Sequence, residues 1–341
     1  MMCVGLDVHK TWTTVVAIDT DSGEVRRFDR VPNQAEAFGE CLGQLNGPLR
    51  GIMEAGRNSW AVYDVLAPFF EELLVGDASE MKRRMSERGA KTDRRDALRM
   101  ALLLSEGRVP AVWIPDLQTR QLRTLTRGRA RMSQLTNQVA CQIHSVAASS
   151  GQTCPASNLR TKKGRQWATE LKLPGVSAYV LDTWMQVLQL LEASEAALET
   201  EIVRMASERE DTRRLQGMPG IGPLSALTLI AEIGDISRFR SAKALVAYAG
   251  LAPQVHQSGD KTHHGPLPKT CDRWLRRIIV LAAQHVARVR ADIHLKRRHW
   301  RAVFRRGNNT AKIDTARHML TVIYRLLRHG EDYREPVRPA A

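Results

Sequence analysis

Residues 91–97 read KTDRRDA, which sets Asp93 and Asp96 three positions apart among Lys91, Arg94 and Arg95. On a helix, positions i and i+3 share a face, so both carboxylates can address one object. Like charges that close repel unless a cation lies between them; the plain alternative is that each aspartate pairs with a neighbouring arginine on a solvated face. Two more acids stand in apolar stretches, Asp7 in GLDVHK and Glu54 at the end of GIME. A carboxylate among apolar strand residues is costly unless it is paired or metal-bound. Oxygen donors of this kind suit Mg²⁺, and two such ions can steady both oxygens of a phosphoryl displacement. A different chemistry is offered by PGIGP, where Gly220 and Gly222 precede an apolar helix. Such a turn can present backbone N–H groups to a phosphate, or serve simply as a tight connection between helices.

The elements that must position these residues are legible in outline. CVGLDVHK, WTTVVAIDT and EVRRFDRV alternate as strands, with Asp21-Ser22-Gly23 as a turn. A helix over 34–45, a buried strand ending at Glu54, a helix over 58–72, a strand at ELLVGDA and a helix over 93–106 follow. That order predicts an α/β domain of the ribonuclease-H type, in which Asp7, Glu54 and the start of the last helix converge. Beyond Pro110 and Pro115, residues 116–148 and 179–210 read as two long helices, either an antiparallel coiled-coil-like arm or a helical hairpin packed on its own domain. Residues 149–178 read as loop and connection. The rest is mainly α: a helix-hairpin-helix-like segment around PGIG, a helix ending near Gly250, a polar glycine-punctuated loop, and a helix opening with Arg273, Arg276 and Arg277. The boundaries fall at 1–115, 116–210, 211–330 and a tail, 331–341.

Charge narrows the partners. The 341 residues carry 51 Lys and Arg against 36 Asp and Glu, a net charge of +15. An excess of this size favours a polyanion, because each neutralised phosphate releases counterions. It is concentrated: RQLRTLTRGRAR (120–131) has five arginines and no acid, and KRRHWRAVFRR (296–306) has seven basic side chains and no acid. Neither run has the broad apolar face of a membrane-surface helix, so nucleic acid is the expected partner. Arg123, Arg127 and Arg131, with Lys162 and Lys163 in the basic cluster that follows, are the expected phosphate-tracking residues. Five scattered cysteines without a C-x-x-C pair argue against a disulfide framework or structural zinc. With no signal-peptide layout or membrane-spanning run, the expected location is cytoplasmic.

GLDVHK, MEAG, KTDRRDA, PGIG and YAGLAP…QSG…G…K…LRR occur in that order, and together they resemble the DEDD-type insertion-sequence transposases, the family numbered one-hundred-and-ten and its relatives. The resemblance implies a RuvC-like domain whose metal-binding acids are Asp7, Glu54, Asp93 and Asp96. It implies a C-terminal transposase domain whose nucleophile is Ser258. It also implies guidance by an element-encoded bridge RNA pairing with donor and target DNA, and a homo-oligomer, a dimer of dimers with composite sites. Lys269, Arg273 and Arg276 are then placed to hold the scissile phosphate. One departure is GPLPKTC (265–271), where Pro268 and Cys271 replace the family's usual serine and glycine. Without the resemblance, Ser258 beside Gly259 is an ordinary turn pair. His256, His263 and His264 are available as bases, or are merely exposed loop histidines.

The reading is therefore a Mg²⁺-dependent DNA recombinase acting through a phosphoserine. Its rivals are a RuvC-like nuclease whose acids activate water, and a non-catalytic DNA- or RNA-binding protein.

Overall fold

The computed structural model describes residues 1–85, 92–156, 158–258 and 261–336, the segments 255–258 and 261–264 as backbone. They form two compact units, Met1–Ile114 and Pro115–Ala341.

The first unit opens with strands β1 (Met2–Val8), β2 (Trp12–Asp19) and β3 (Val25–Pro32), then α1 (Ala35–Leu42), β4 (Leu49–Glu54), α2 (Ser59–Leu66), β5 (Glu72–Gly76), α3 (Ala78–Arg84) and α4 (Asp93–Ser105). The sheet order is β3-β2-β1-β4-β5; the first three strands pair antiparallel, and β4 and β5 continue parallel to β1. This mixed sheet with its helices is consistent with a ribonuclease-H-like fold. Alternation divides the strands between two layers. Val4, Leu6 and Met53 pack with Phe38 and Leu42 of α1 and Leu66 of α2, whereas Cys3, Val16 and Ile52 pack with Ala97, Met100 and Leu104 of α4. At Gly5 the helix rests on the strand itself, since a Cβ there would fall 1.9 Å from the Ala97 carbonyl oxygen.

The second unit comprises α5 (Leu117–Ser149), α6 (Lys162–Glu170), α7 (Val176–Ser207), α8 (Glu210–Gln216), α9 (Pro223–Ile233), α10 (Ala242–Tyr248), a hairpin of β6 (Val255–Ser258) and β7 (Lys261–His264), and then α11 (Arg273–Val286), α12 (His294–Arg306) and α13 (Asn308–His329). The long α5 and α7 run antiparallel. Leu122 shares a core with Ile202 and Ala206, whereas Val139 and Ile143 further along α5 share one with Leu181 and Leu188, earlier on α7. The core at Leu122 continues through Leu227 of α9, Ile279 of α11 and Met319 of α13, so the base of the arm is built into the C-terminal helices.

Three elements depart from the expectation. The stretch read as connection holds α6, capped by Thr161, whose hydroxyl accepts from the Gly164 N–H at 3.1 Å. Its lysines and glycine hid an apolar face formed by Trp167 and Ala168. The segment after ELLVGDA holds α3, whose cap Asp77 accepts from the Glu80 N–H at 2.8 Å. The polar loop before α11 is a two-stranded hairpin, Val255 opposite His264 and Ser258 opposite Lys261; two β-compatible runs separated by Gly-Asp have the spacing that hairpins use. Among the described residues, no helix is long and apolar enough to cross a membrane.

Candidate functional site

Parallel pairing sets Leu6 beside Met53, so the next residues, Asp7 and Glu54, emerge side by side at the ends of β1 and β4. Asp7 shares its face of the sheet with Gly5, where α4 makes its closest approach, and the first turn of α4 therefore lies over it. Asp93 is delivered there. His9 Nε2 lies 3.4 Å from a carboxylate oxygen of Asp7 and 3.4 Å from one of Asp93. The ligating atoms of Asp7, His9 and Asp93 all fall within 4.8 Å of one another. Glu54 stands beside this group by strand register and Asp96 lies a turn further along α4, neither within the 4.8 Å cluster.

The local sequence explains how α4 is aimed. Thr92 caps it, its hydroxyl accepting from the Arg95 N–H at 3.4 Å, and acids in the first turn complement the helix dipole. Register between β2 and β3 passes from Thr13–Val31 to Val15–Phe28, leaving a bulge at Asp29 and Arg30, where Arg30 takes a left-handed φ of 52°. The bulge turns Asp29 toward Arg94, whose Nε donates to it at 2.8 Å and whose Nη2 donates to its second oxygen. The Arg94 guanidinium holds the Asp29 carboxyl below the usual carboxylate range. Arg94 thus reaches away to the sheet and anchors the helix start, leaving Asp93 facing Asp7 and His9. Donors about 3 Å apart are what adjacent positions around an ion with ~2.1 Å bonds require. His9 Nε2 is buried without a hydrogen-bond partner. The donor set fits a divalent cation.

In the second unit, Ser258 sits at the end of β6, paired in register with Lys261. The root of this hairpin is closed by Arg276. Its Nε donates to the Ala249 carbonyl at 3.1 Å, and its Nη2 to those of Gly250 and Pro268 at 2.6 Å each. Gly250 is required beneath it: φ is 65°, and a Cβ would lie 2.0 Å from that Nη2. Asp272 caps α11 through the Leu275 N–H and accepts from the Tyr248 hydroxyl at 3.1 Å, tying α11 to α10. Arg276, expected on the phosphate, is engaged with backbone instead; Lys269 and Arg273 are exposed. Gly220 (φ 89°) packs on α11, its missing Cβ 2.8 Å from the Ala282 oxygen, while Gly222 caps α9 in open space.

The arginine run is likewise divided. Arg127 makes a two-pronged pair with Glu232 of α9, at 2.8 and 2.6 Å, and Arg123 donates to the Ala231 and Glu232 carbonyls. Glu232 is fully buried. Burial pushes its carboxyl above the usual range against the pull of Arg127, whose guanidinium is in turn held charged by Glu232. Arg129 pairs with Glu195 and Glu199 of α7, and Arg160 reaches the same buried Glu195 at 3.1 Å. Arg131 has no such pair among the described residues. With Arg273, Arg277, Trp274, Gln134 and Gln138 it lines a groove of about 550 Å³ between α5 and α11. Lys162 and Lys163 are exposed on α6.

Two family models match the chain. A DEDD-type IS110 transposase model covers residues 4–149, and the model described as "Transposase IS116/IS110/IS902 family" covers residues 212–299. The "Probable family 20 transposase" of Pseudomonas aeruginosa is 27% identical over 97% of this chain and 98% of its own length. The "Transposase for insertion sequence element IS1111A" of Coxiella burnetii is 33% identical over 43% of this chain and 41% of its own. A "Pilin gene-inverting protein" of Moraxella bovis is 53% identical over 49 residues, 14% of this chain and 15% of its own length. The chain belongs to the IS110/IS116 family of transposases, enzymes that cut and rejoin DNA.

Proposed function

We propose that this transposase cuts and rejoins DNA through a phosphoserine at Ser258, guided by an element-encoded RNA. The observation that carries this reading is the meeting of Asp7 and Asp93 at the ends of β1 and α4, with Glu54 beside them by register. Ser258 loses its proton as its Oγ bonds to phosphorus; one P–O bond to deoxyribose breaks, and the leaving oxygen takes up a proton. Attack by a DNA hydroxyl on the phosphoserine reverses the sequence, so the phosphodiester is conserved and no external energy source is needed. A divalent cation at Asp7, Asp93, Glu54 and Asp96, Mg²⁺ in the simplest case, would supply charge stabilisation at the phosphoryl oxygens. Because the acids and the serine lie in different units, a composite site in a dimer of dimers is compatible with the fold.

Nucleic acid lies in the groove of Arg131, Arg273 and Arg277, with Trp274 offering a stacking face, and Lys269 completes the phosphate contacts near the hairpin. Lys162 and Lys163 extend the RNA contacts along the arm. Arg123 and Arg127 support this surface from beneath, through Glu232, rather than touching the ligand.

The test is covalent trapping. Wild-type protein incubated with element-end DNA, RNA and Mg²⁺ should yield a denaturant-resistant species with phosphate at residue 258 by peptide mass spectrometry. Ser258→Ala should assemble on RNA and DNA yet yield none; Asp7→Ala and Asp93→Ala should likewise bind but not recombine. Recombination persisting in Ser258→Ala would decide for the nuclease reading, with water as the nucleophile.

A further inference from the structure

We infer that His9 is itself a metal ligand, so that the cation at β1 and α4 is held by a mixed nitrogen and oxygen set and not by carboxylates alone. The inference rests on the metal reading of Asp7 and Asp93 and adds a residue to it.

His9 lies two positions past Asp7, just beyond the end of β1, where alternation returns a side chain to the same face of the sheet. Its placement is fixed on several sides. Its N–H donates to the Trp12 carbonyl at 2.9 Å, closing the turn into β2. Its carbonyl accepts from Asn33 Nδ2 at 3.0 Å and from Asn58 Nδ2 at 2.9 Å, which join β3 and α2 to the same point. The imidazole lies against the Trp12 ring, centroids 3.8 Å apart and planes 31° off parallel. A ring so held has one edge left to offer, and Nε2 is directed between the two carboxylates at 3.4 Å from each. That nitrogen is buried and makes no hydrogen bond. A histidine serving only to fill the turn would place this atom in solvent or on an acceptor at ~2.9 Å. A nitrogen without a hydrogen bond, equidistant from two carboxylate oxygens, instead has the geometry of a shared ligand set.

The chemical consequence is selectivity. Mg²⁺ keeps to oxygen and water, whereas the first-row divalent ions accept imidazole nitrogen more readily, Mn²⁺ least among them and Fe²⁺, Ni²⁺, Cu²⁺ and Zn²⁺ more. The site should therefore favour Mn²⁺ over Mg²⁺ by more than carboxylates alone would give.

Mn²⁺ is the probe, with the full chain and no nucleic acid. Pulsed electron paramagnetic resonance of bound Mn²⁺ should show coupling to one imidazole ¹⁴N, and His9→Gln should abolish it. By calorimetry, His9→Gln should weaken Mn²⁺ on the order of 10-fold, and Mg²⁺ by less, with an unchanged circular dichroism spectrum. Bound Mn²⁺ without nitrogen coupling in the wild type, or with coupling retained in His9→Gln, overturns the role of His9 while leaving the carboxylate site standing. No Mn²⁺ binding in the wild type overturns both. The wild-type spectrum decides even if the variant does not fold.

Discussion

A charged side chain is defined by what faces it, and the arginines of α5 illustrate this. In the sequence, 120–131 looks like an uninterrupted basic run because its acids lie elsewhere: Glu232 is 105 residues from Arg127, and Glu199 is 70 from Arg129. Removing Arg127 takes both short hydrogen bonds from a fully buried carboxylate and leaves it, among the described residues, only the Arg123 guanidinium at 3.5 Å; breaking a buried pair typically costs about 3–5 kcal/mol. Arg127→Ala should therefore lower the urea midpoint of unfolding sharply, whereas Arg131→Ala should leave it in place. Unchanged stability in Arg127→Ala would return that side chain to the ligand-binding surface. His9 failed to stand out for the opposite reason. GLDVHK sets the imidazole two residues from Asp7, and the alternation of a strand is the signal that brings both to one face; Asp93, its other neighbour, comes from a helix 84 positions on.

Among elements, those with a local pattern were readable: the five strands of the first sheet, the helix opening at Asp93, and the two long helices α5 and α7. Those that depend on remote contact were not, as α6 shows, since its Trp167 and Ala168 gain meaning only against the tip of the arm. The seat of α4 on β1 belongs with the second kind. A Cβ at Gly5 has no space, so Gly5→Ala must lift the helix and part Asp93 from Asp7. We expect a lowered melting temperature together with loss of Mn²⁺ binding and recombination; a variant with wild-type metal affinity would show that α4 does not position the site. The pair α12 and α13 carries a pH dependence. His299 is buried and bonded to the Thr315 hydroxyl at 3.0 Å, and burial holds its imidazole, and that of His318, below the ordinary histidine range. Such groups bind protons more readily in the unfolded chain, so their stabilising contribution is complete above the unfolded pKa of ~6.5 and is lost as pH falls below it. The melting temperature of the protein should drop between pH 7.5 and 5, and His299→Gln should flatten that slope.

For the whole molecule, the two units divide the proposed chemistry: acids in Met1–Ile114, serine and basic groove in Pro115–Ala341. The net charge of +15 announced a polyanionic partner but not where it lies, because most arginines of the longest helix are neutralised internally. What remains is compact and testable. Alanine at Arg131, Arg273 and Arg277 should each flatten the dependence of log affinity on log salt by about 0.7–0.9. The three together should weaken binding across nucleic-acid sequences alike, without moving the unfolding midpoint. A triple variant that binds normally at several salt concentrations would remove the groove from consideration.

The long reach of the Arg127–Glu232 pair also has a history within each molecule's synthesis. Everything the first unit needs is present once residue 114 has left the ribosome, so it can close early. The base of α5 must wait for α9. At ~5–20 residues per second, the 105 residues separating the pair amount to roughly 5–20 s. Within that interval α7 arrives to meet the apolar seam and Arg129, but Arg127 stays unmatched until α9 follows. The most basic helix of the arm is thus born exposed and is neutralised in two stages, at Arg129 by α7 and at Arg127 only by α9.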